Sequence, residues 1–273
     1  MATPEPTARV EESIAGLREG IRGASHLLVC LDFDGTLAPI VEEPGAAAMA
    51  DGNRAAVEAL AADPAVTTAV VTGRALTDIR QRLSLPITYA GNHGLELYRE
   101  GELAVHPIAR KRASLVGRVS ETLEAALGPI PNYRIENKRL TGTVHVRSVP
   151  EPARERVYAT VEDVVDRLAG GRLETSRGKR IVEFSPSVSW GKGEAVRLLE
   201  RSAPEGTAVV YLGDDVTDES AFRELEPEDV GVYVGSGDSA ASCRVESPAA
   251  VTELLAWLAG TGTSLLDEPT SVR

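Results

Sequence analysis

The chain has 273 residues, 42% hydrophobic and 26% charged, a balance that excludes wholesale disorder and leaves room for one large or two medium domains. Its formal charge of −12 repels a nucleic-acid backbone or an anionic membrane, so neither is expected as a partner, and an anionic ligand needs a local basic pocket. No apolar stretch approaches the roughly 18 residues of a membrane span, and MATPEPTARVEES lacks the basic and apolar segments of a secretory signal, so a cytoplasmic protein is expected.

After a polar tail, Val10, Ile14, Leu17 and Ile21 set a helical spacing over 8–22, and HLLVCLDF (26–33) reads as a buried strand of the parallel type. A helix over 51–62, a strand over 66–73, a helix over 75–83 and a short strand over 87–91 follow. The same rhythm returns with a strand over 206–215, a helix over 217–225, a strand over 230–235 and a helix over 248–259. This alternation predicts a doubly wound α/β core with a parallel, Rossmann-like sheet. Between the two halves the pattern changes to helix (109–127), two strands (132–139 and 141–148), helix (151–168) and a strand pair (172–186). That order predicts an inserted α+β cap domain over 108–186, with the core formed by 1–107 and 187–273. The end of the chain, TGTSLLDEPTSVR, reads as frayed. Cys30 and Cys243 lie far apart beside apolar segments and read as reduced core thiols.

The stretch LDFDGTLAPI (31–40) is the first that packing does not explain. Asp32 and Asp34 would share one strand face and repel each other, so either the strand ends there or a cation joins them. Three other short motifs stand at strand ends or helix starts, where α/β sheets bind ligands: TGR at 72–74, KG at 192–193 and GDDVTDE at 213–219. Each has an ordinary reading alone. Thr-Gly is a common turn, a lysine is usually solvated, and an acidic loop often caps a helix.

Taken in order, the four resemble the motifs of the haloacid dehalogenase superfamily. That resemblance implies a phosphomonoester hydrolase using Mg²⁺, with Asp32 as the nucleophile and Asp34 as the acid and then the base. It also implies Thr72 as a hydrogen-bond donor to the phosphate, Lys192 as the neutralising cation, and a metal site drawn from Asp32, Asp34, Asp214, Asp215 and Asp218. Mg²⁺ would then be the missing cation.

Further matches narrow the resemblance to the trehalose-6-phosphate phosphatase family: GNHGLE at 91–96, E-x-K at 136–138, VHVR at 144–147, GKRIVE at 178–183 and W-x-K-G at 190–193. The family implies a cap that closes on a sugar phosphate, with Glu136, Lys138, Arg147, Lys179 and Glu183 on the disaccharide. Gly73, Arg74, Asn92 and His93 are expected beside the substrate, with a hydrogen-bonded structural role as the alternative for His93. Carboxylates accept from sugar hydroxyls and cations donate to them. Spacing alone leaves Lys179 and Arg180 as alternatives, and leaves the cap charges open as an ordinary solvated sheet face.

The resulting expectation is a stand-alone monomer that hydrolyses trehalose 6-phosphate, with hinges near 105–109 and 185–190 at Pro107 and Pro186. The alternatives are a phosphatase for sucrose phosphate or mannosyl-3-phosphoglycerate, and a non-catalytic sugar-phosphate sensor.

Overall fold

The computed structural model describes residues 8–41 and 43–266, so the polar tail at 1–7 and the end at 267–273 lie outside the described residues. The chain divides into two compact units, one running to Leu103 and resuming at Trp190, the other spanning Ala104–Ser189. Among the described residues no helix is long and apolar enough to cross a membrane.

The first unit begins with α1 (Ala8–Gly20), β1 (His26–Leu31), α2 (Asp51–Ala62), β2 (Val66–Val71), α3 (Leu76–Leu83) and β3 (Thr88–Gly91). A hairpin-like pair follows, β4 (Glu96–Arg99) and β5 (Glu102–Val105), at which the chain passes into the second unit. The second unit holds α4 (Pro107–Leu127), β6 (Arg134–Asn137), β7 (Gly142–His145), α5 (Glu151–Ala169), β8 (Leu173–Gly178) and β9 (Ile181–Pro186). Return to the first unit brings α6 (Lys192–Glu200), β10 (Thr207–Gly213), α7 (Glu219–Glu224), β11 (Val230–Val234), β12 (Cys243–Val245) and α8 (Pro248–Trp257).

The strands of the first unit form one sheet in the order β12-β11-β10-β1-β2-β3-β4-β5, parallel from β12 to β3 and antiparallel between β3 and β4. Side chains alternate across β1. Leu27, Val29 and Leu31 enter the core shared with α1, α2, α3 and α8, whereas Leu28 and Cys30 face α6 and α7. With both faces covered the strands are continuously apolar, which is why the sequence reads as runs rather than alternation. Such a sheet places every parallel strand's carboxyl end at one edge, and the site is built there.

The second unit is a four-stranded antiparallel sheet in the order β6-β7-β9-β8. One face packs on α4 and α5 through Val144, Val182, Phe184, Val119, Leu123 and Val161, all buried. The other carries Arg134, Glu136, Thr143, His145 and Glu183, by the period of two along each strand. At Gly142 a Cβ would collide with the Phe184 ring, so the smallest side chain lets that ring fill the core.

Several expected boundaries shift. The strands β4, β5 and β12 did not stand out in the sequence, because each is three or four residues long and carries charge. The chain beyond α8 is not frayed up to Leu266: a π-type turn over Leu258–Gly262 and a 3-10 turn over Thr263–Leu265 continue the helix, with Leu258 buried. Pro107 opens α4, where its missing N–H costs nothing, and Pro186 ends β9.

Candidate active site

Strand β1 stops at Leu31, one residue before Asp32, whose N–H still donates to the Leu212 carbonyl of β10 at 2.9 Å. The chain then turns. Gly35 has φ +87°, and a Cβ there would collide with the Asp214 carboxylate, so glycine serves both the left-handed backbone and the close approach of two loops. The opposition expected between Asp32 and Asp34 is resolved by this turn: Asp32 is buried and Asp34 is partly exposed.

Asp32 Oδ1 lies 2.9 Å from Lys192 Nζ, at the first turn of α6. The same ammonium is 2.7 Å from Asp218 Oδ1, and all three residues are nearly inaccessible to water. Asp218 is saturated. Its Oδ1 also accepts from the Tyr211 hydroxyl, and its Oδ2 accepts from the N–H groups of Asp214 at 3.1 Å and Asp215 at 3.0 Å. Gly213 lets the loop fold this tightly, since a Cβ there would strike the Asp218 carboxylate.

One oxygen each from Asp32, Asp214 and Asp218 lies within 4.8 Å of the others. A single buried ammonium therefore stands among three carboxylates. Burial first, then the charges of Asp218 and Asp214, raises the Asp32 carboxyl well above the usual range, against the opposing pull of Lys192. Asp214 is pushed up to about 7, by burial and then by Asp218. Burial disfavours the charge on Lys192, but Asp218 and Asp32 outweigh it and hold its pKa above the ordinary value. Asp214 Oδ1 is buried without a hydrogen-bond partner among the described residues. An excess of buried acid and an orphaned hard oxygen are the donor set of a small divalent cation such as Mg²⁺, so these residues fit one. Asp215 is exposed, and its Oδ1 accepts the N–H of Val216 at 2.8 Å.

Thr72 is buried at the end of β2, where its hydroxyl accepts the N–H of Arg74 at 3.2 Å. Its own proton remains to be donated. Asn92 and His93 follow β3 in left-handed conformations, φ 48° and 57°. They are held there by Asn92 N–H to the Arg74 carbonyl at 2.7 Å and His93 N–H to the Thr72 carbonyl at 2.9 Å. The His93 ring packs so close to Gly73 that a Cβ at that position would meet it at 2.6 Å. Strain in two adjacent residues, kept by specific hydrogen bonds, ties this loop to the Thr72 turn. Arg74 does not hang loose: its guanidinium forks onto both oxygens of Asp34, each at 2.6 Å.

In the second unit, Glu136 and Glu183 both pair with Thr143 across the sheet, so they occupy one cross-strand row. Glu183 Oε1 accepts from Lys138 Nζ at 3.3 Å and from the Thr143 hydroxyl at 3.1 Å. Glu136 Oε2 is 3.0 Å from His145 Nε2, and that bond first of all holds its carboxyl below the ordinary 4.5. Arg147 lies in the turn after β7, and Lys179 is exposed in the turn joining β8 to β9. The residues that sequence reasoning left without a role are Tyr211, Asp78, Arg82, Thr143 and Arg134; nothing in their spacing marked them.

A family model described as trehalose-phosphatase matches residues 30–251. A trehalose-phosphate phosphatase of Mycobacterium marinum is 37% identical over 85% of this chain and 61% of its own length. The chain thus spans about three fifths of that relative. A crystal structure of a trehalose-6-phosphate phosphatase related protein superposes with a TM-score of 0.78 at 25% identity, over 87% of this chain and 99% of the other. A haloacid dehalogenase-like hydrolase from Bacteroides thetaiotaomicron shares the fold, with a TM-score of 0.60 at 16% identity over 85% of this chain and 99% of the other. With a haloacid dehalogenase-type α/β core, an α+β insert and a family match that runs from Cys30 to Val251, the chain belongs to the trehalose-phosphatase family.

Proposed function

We propose that this chain is a Mg²⁺-dependent phosphatase that hydrolyses trehalose 6-phosphate to trehalose and inorganic phosphate through a phosphorylated Asp32. The observation that carries the reading is the buried Lys192 shared by Asp32 and Asp218 beside the orphaned oxygen of Asp214. Lys192 engages Oδ1 of Asp32 and leaves its other oxygen for the phosphorus.

Asp32 forms a bond to phosphorus as the bond to the sugar oxygen breaks, and Asp34 gives that oxygen a proton. A water then attacks phosphorus, Asp34 takes its proton, and the Asp32–phosphate bond breaks to release phosphate. Thr72 and neighbouring N–H groups donate to the phosphoryl oxygens. Mg²⁺, held by Asp32, Asp214 and the Asp34 carbonyl, would offset the charge of the phosphate dianion. Asp218, its lone pairs already spent, orients Lys192 and the loop carrying Asp214.

Glu136, Lys138, Arg147, Lys179 and Glu183 would take the disaccharide, with Gly73, Asn92 and His93 completing the phosphate end. Phosphate release from a panel of sugar phosphates tests the substrate. The expected kcat/KM for trehalose 6-phosphate exceeds that for sucrose phosphate or mannosyl-3-phosphoglycerate by about a hundredfold. Equal values would remove the trehalose assignment.

A further inference from the structure

A charged network leads from Asp34 away from the phosphate end. Arg74 spends Nε and Nη2 on Asp34 and Nη1 on Asp78 Oδ2, the last at 2.8 Å. The same Asp78 oxygen accepts from Arg82 Nε at 2.8 Å. Arg82 Nη1 in turn donates to the carbonyls of Gly45 and Ala47, each at 2.9 Å. Asp78 and Arg82 stand one turn apart on α3, so the helix itself sets their spacing. The Arg74 guanidinium also lies over the Phe33 ring, 5.3 Å from its centroid.

We propose that Asp78 and Arg82 are positioning residues for proton transfer: by fixing the plane of Arg74 they fix the direction in which the Asp34 carboxylate faces. A guanidinium presents its donors in a rigid fork, so a carboxylate bound by two of them inherits its orientation. The contact to Asp78 and the aromatic ring below hold the long side chain against pivoting with its partner. Arg82 then ties Asp78 to the backbone carbonyls of Gly45 and Ala47, so the chain of charges runs from the Asp34 turn to backbone further along the same stretch of chain. An acid–base group displaced by about 1 Å loses up to about a hundredfold in rate, and its substrate binding is unaffected because proton transfer belongs to the transition state. Asp78 and Arg82 reach Asp34 through Arg74, so their effect should vanish when Arg74 can no longer fork.

This role rests on the reading of Asp34 as the acid and base, and the test separates the two. Phosphate release from trehalose 6-phosphate with Mg²⁺ is measured for the parent, Asp78→Asn, Arg82→Gln, Arg74→Lys and the double variant Asp78→Asn/Arg74→Lys. A crystal structure of Asp78→Asn accompanies the rates. The expected result is a kcat lowered about tenfold or more in Asp78→Asn and about threefold or more in Arg82→Gln, with KM within about twofold. Adding Asp78→Asn to Arg74→Lys should cost nothing further, and in the crystal the two-point bridge to Asp34 should be broken. An unchanged kcat, a change confined to KM, or losses that multiply in the double variant would overturn the proposal. If Asp78→Asn does not fold, Arg82→Gln decides by the same rates and by its own crystal structure. If the parent releases no phosphate, the hydrolytic reading fails on its own, and the crystal decides the positioning: an intact bridge rejects it, a broken bridge upholds it.

Discussion

Asp218 accepts four hydrogen bonds, one from a buried ammonium, one from a buried phenol and two from backbone. Removing its charge leaves the buried Lys192 with one carboxylate partner where it had two, so Asp218→Asn is expected to lose about 3–5 kcal/mol of stability, read from urea unfolding. Tyr211→Phe removes one donor and should cost about 1 kcal/mol by the same measurement. A loss in Asp218→Asn no larger than that in Tyr211→Phe would contradict the view of Asp218 as the anchor of Lys192. Asp32 and Asp214 stood out in the sequence because each follows a buried strand in a glycine- and acid-rich turn, whereas Lys192 stood out only through the order of the four motifs. Tyr211 was not legible, since a tyrosine in an apolar strand looks like core until the fold brings Asp218 beneath its hydroxyl. The placement of Arg74 on Asp34 was likewise hidden, because it joins side chains forty residues apart.

At the scale of the element, the cap sheet sets its polar groups by register. Glu136 is held below 4.5 by His145, so its contribution to stability is complete above that value and is lost as pH falls from 4.5 through the lower native value. The difference in unfolding free energy between the parent and Glu136→Gln should therefore be about 1 kcal/mol near pH 6 and shrink toward zero as the pH falls through the native value. A difference that stays constant or grows on acidification would contradict the pairing. The sequence made the parallel strands and long helices plain through their apolar periods. It hid β4, β5 and β12, whose pairing depends on neighbouring strands more than on their own composition. The strands expected over 132–139 and 141–148 are shorter, Arg134–Asn137 and Gly142–His145, so Lys138 and Arg147 stand in loops beyond the ladder.

For the whole molecule, one sheet edge gathers the carboxylates and the ammonium, and an inserted sheet carries a face of acids and bases that includes Arg134, Glu136, His145 and Glu183. Three carboxylates, two of them buried, crowd one ammonium, and a bound cation would offset their charge. Chelation should accordingly reduce phosphate release at least about a hundredfold, and added Mg²⁺ should restore it. Full activity after exhaustive chelation would remove the metal from the account. The most direct test of the central claim is rapid quenching of a single turnover with trehalose 6-phosphate carrying radiolabelled phosphate, followed by peptide mapping. Transient label is expected on Asp32 in the parent and none in Asp32→Asn, which should release no phosphate. Turnover that proceeds with no label on the protein at any time, or a normal rate in Asp32→Asn, would contradict it.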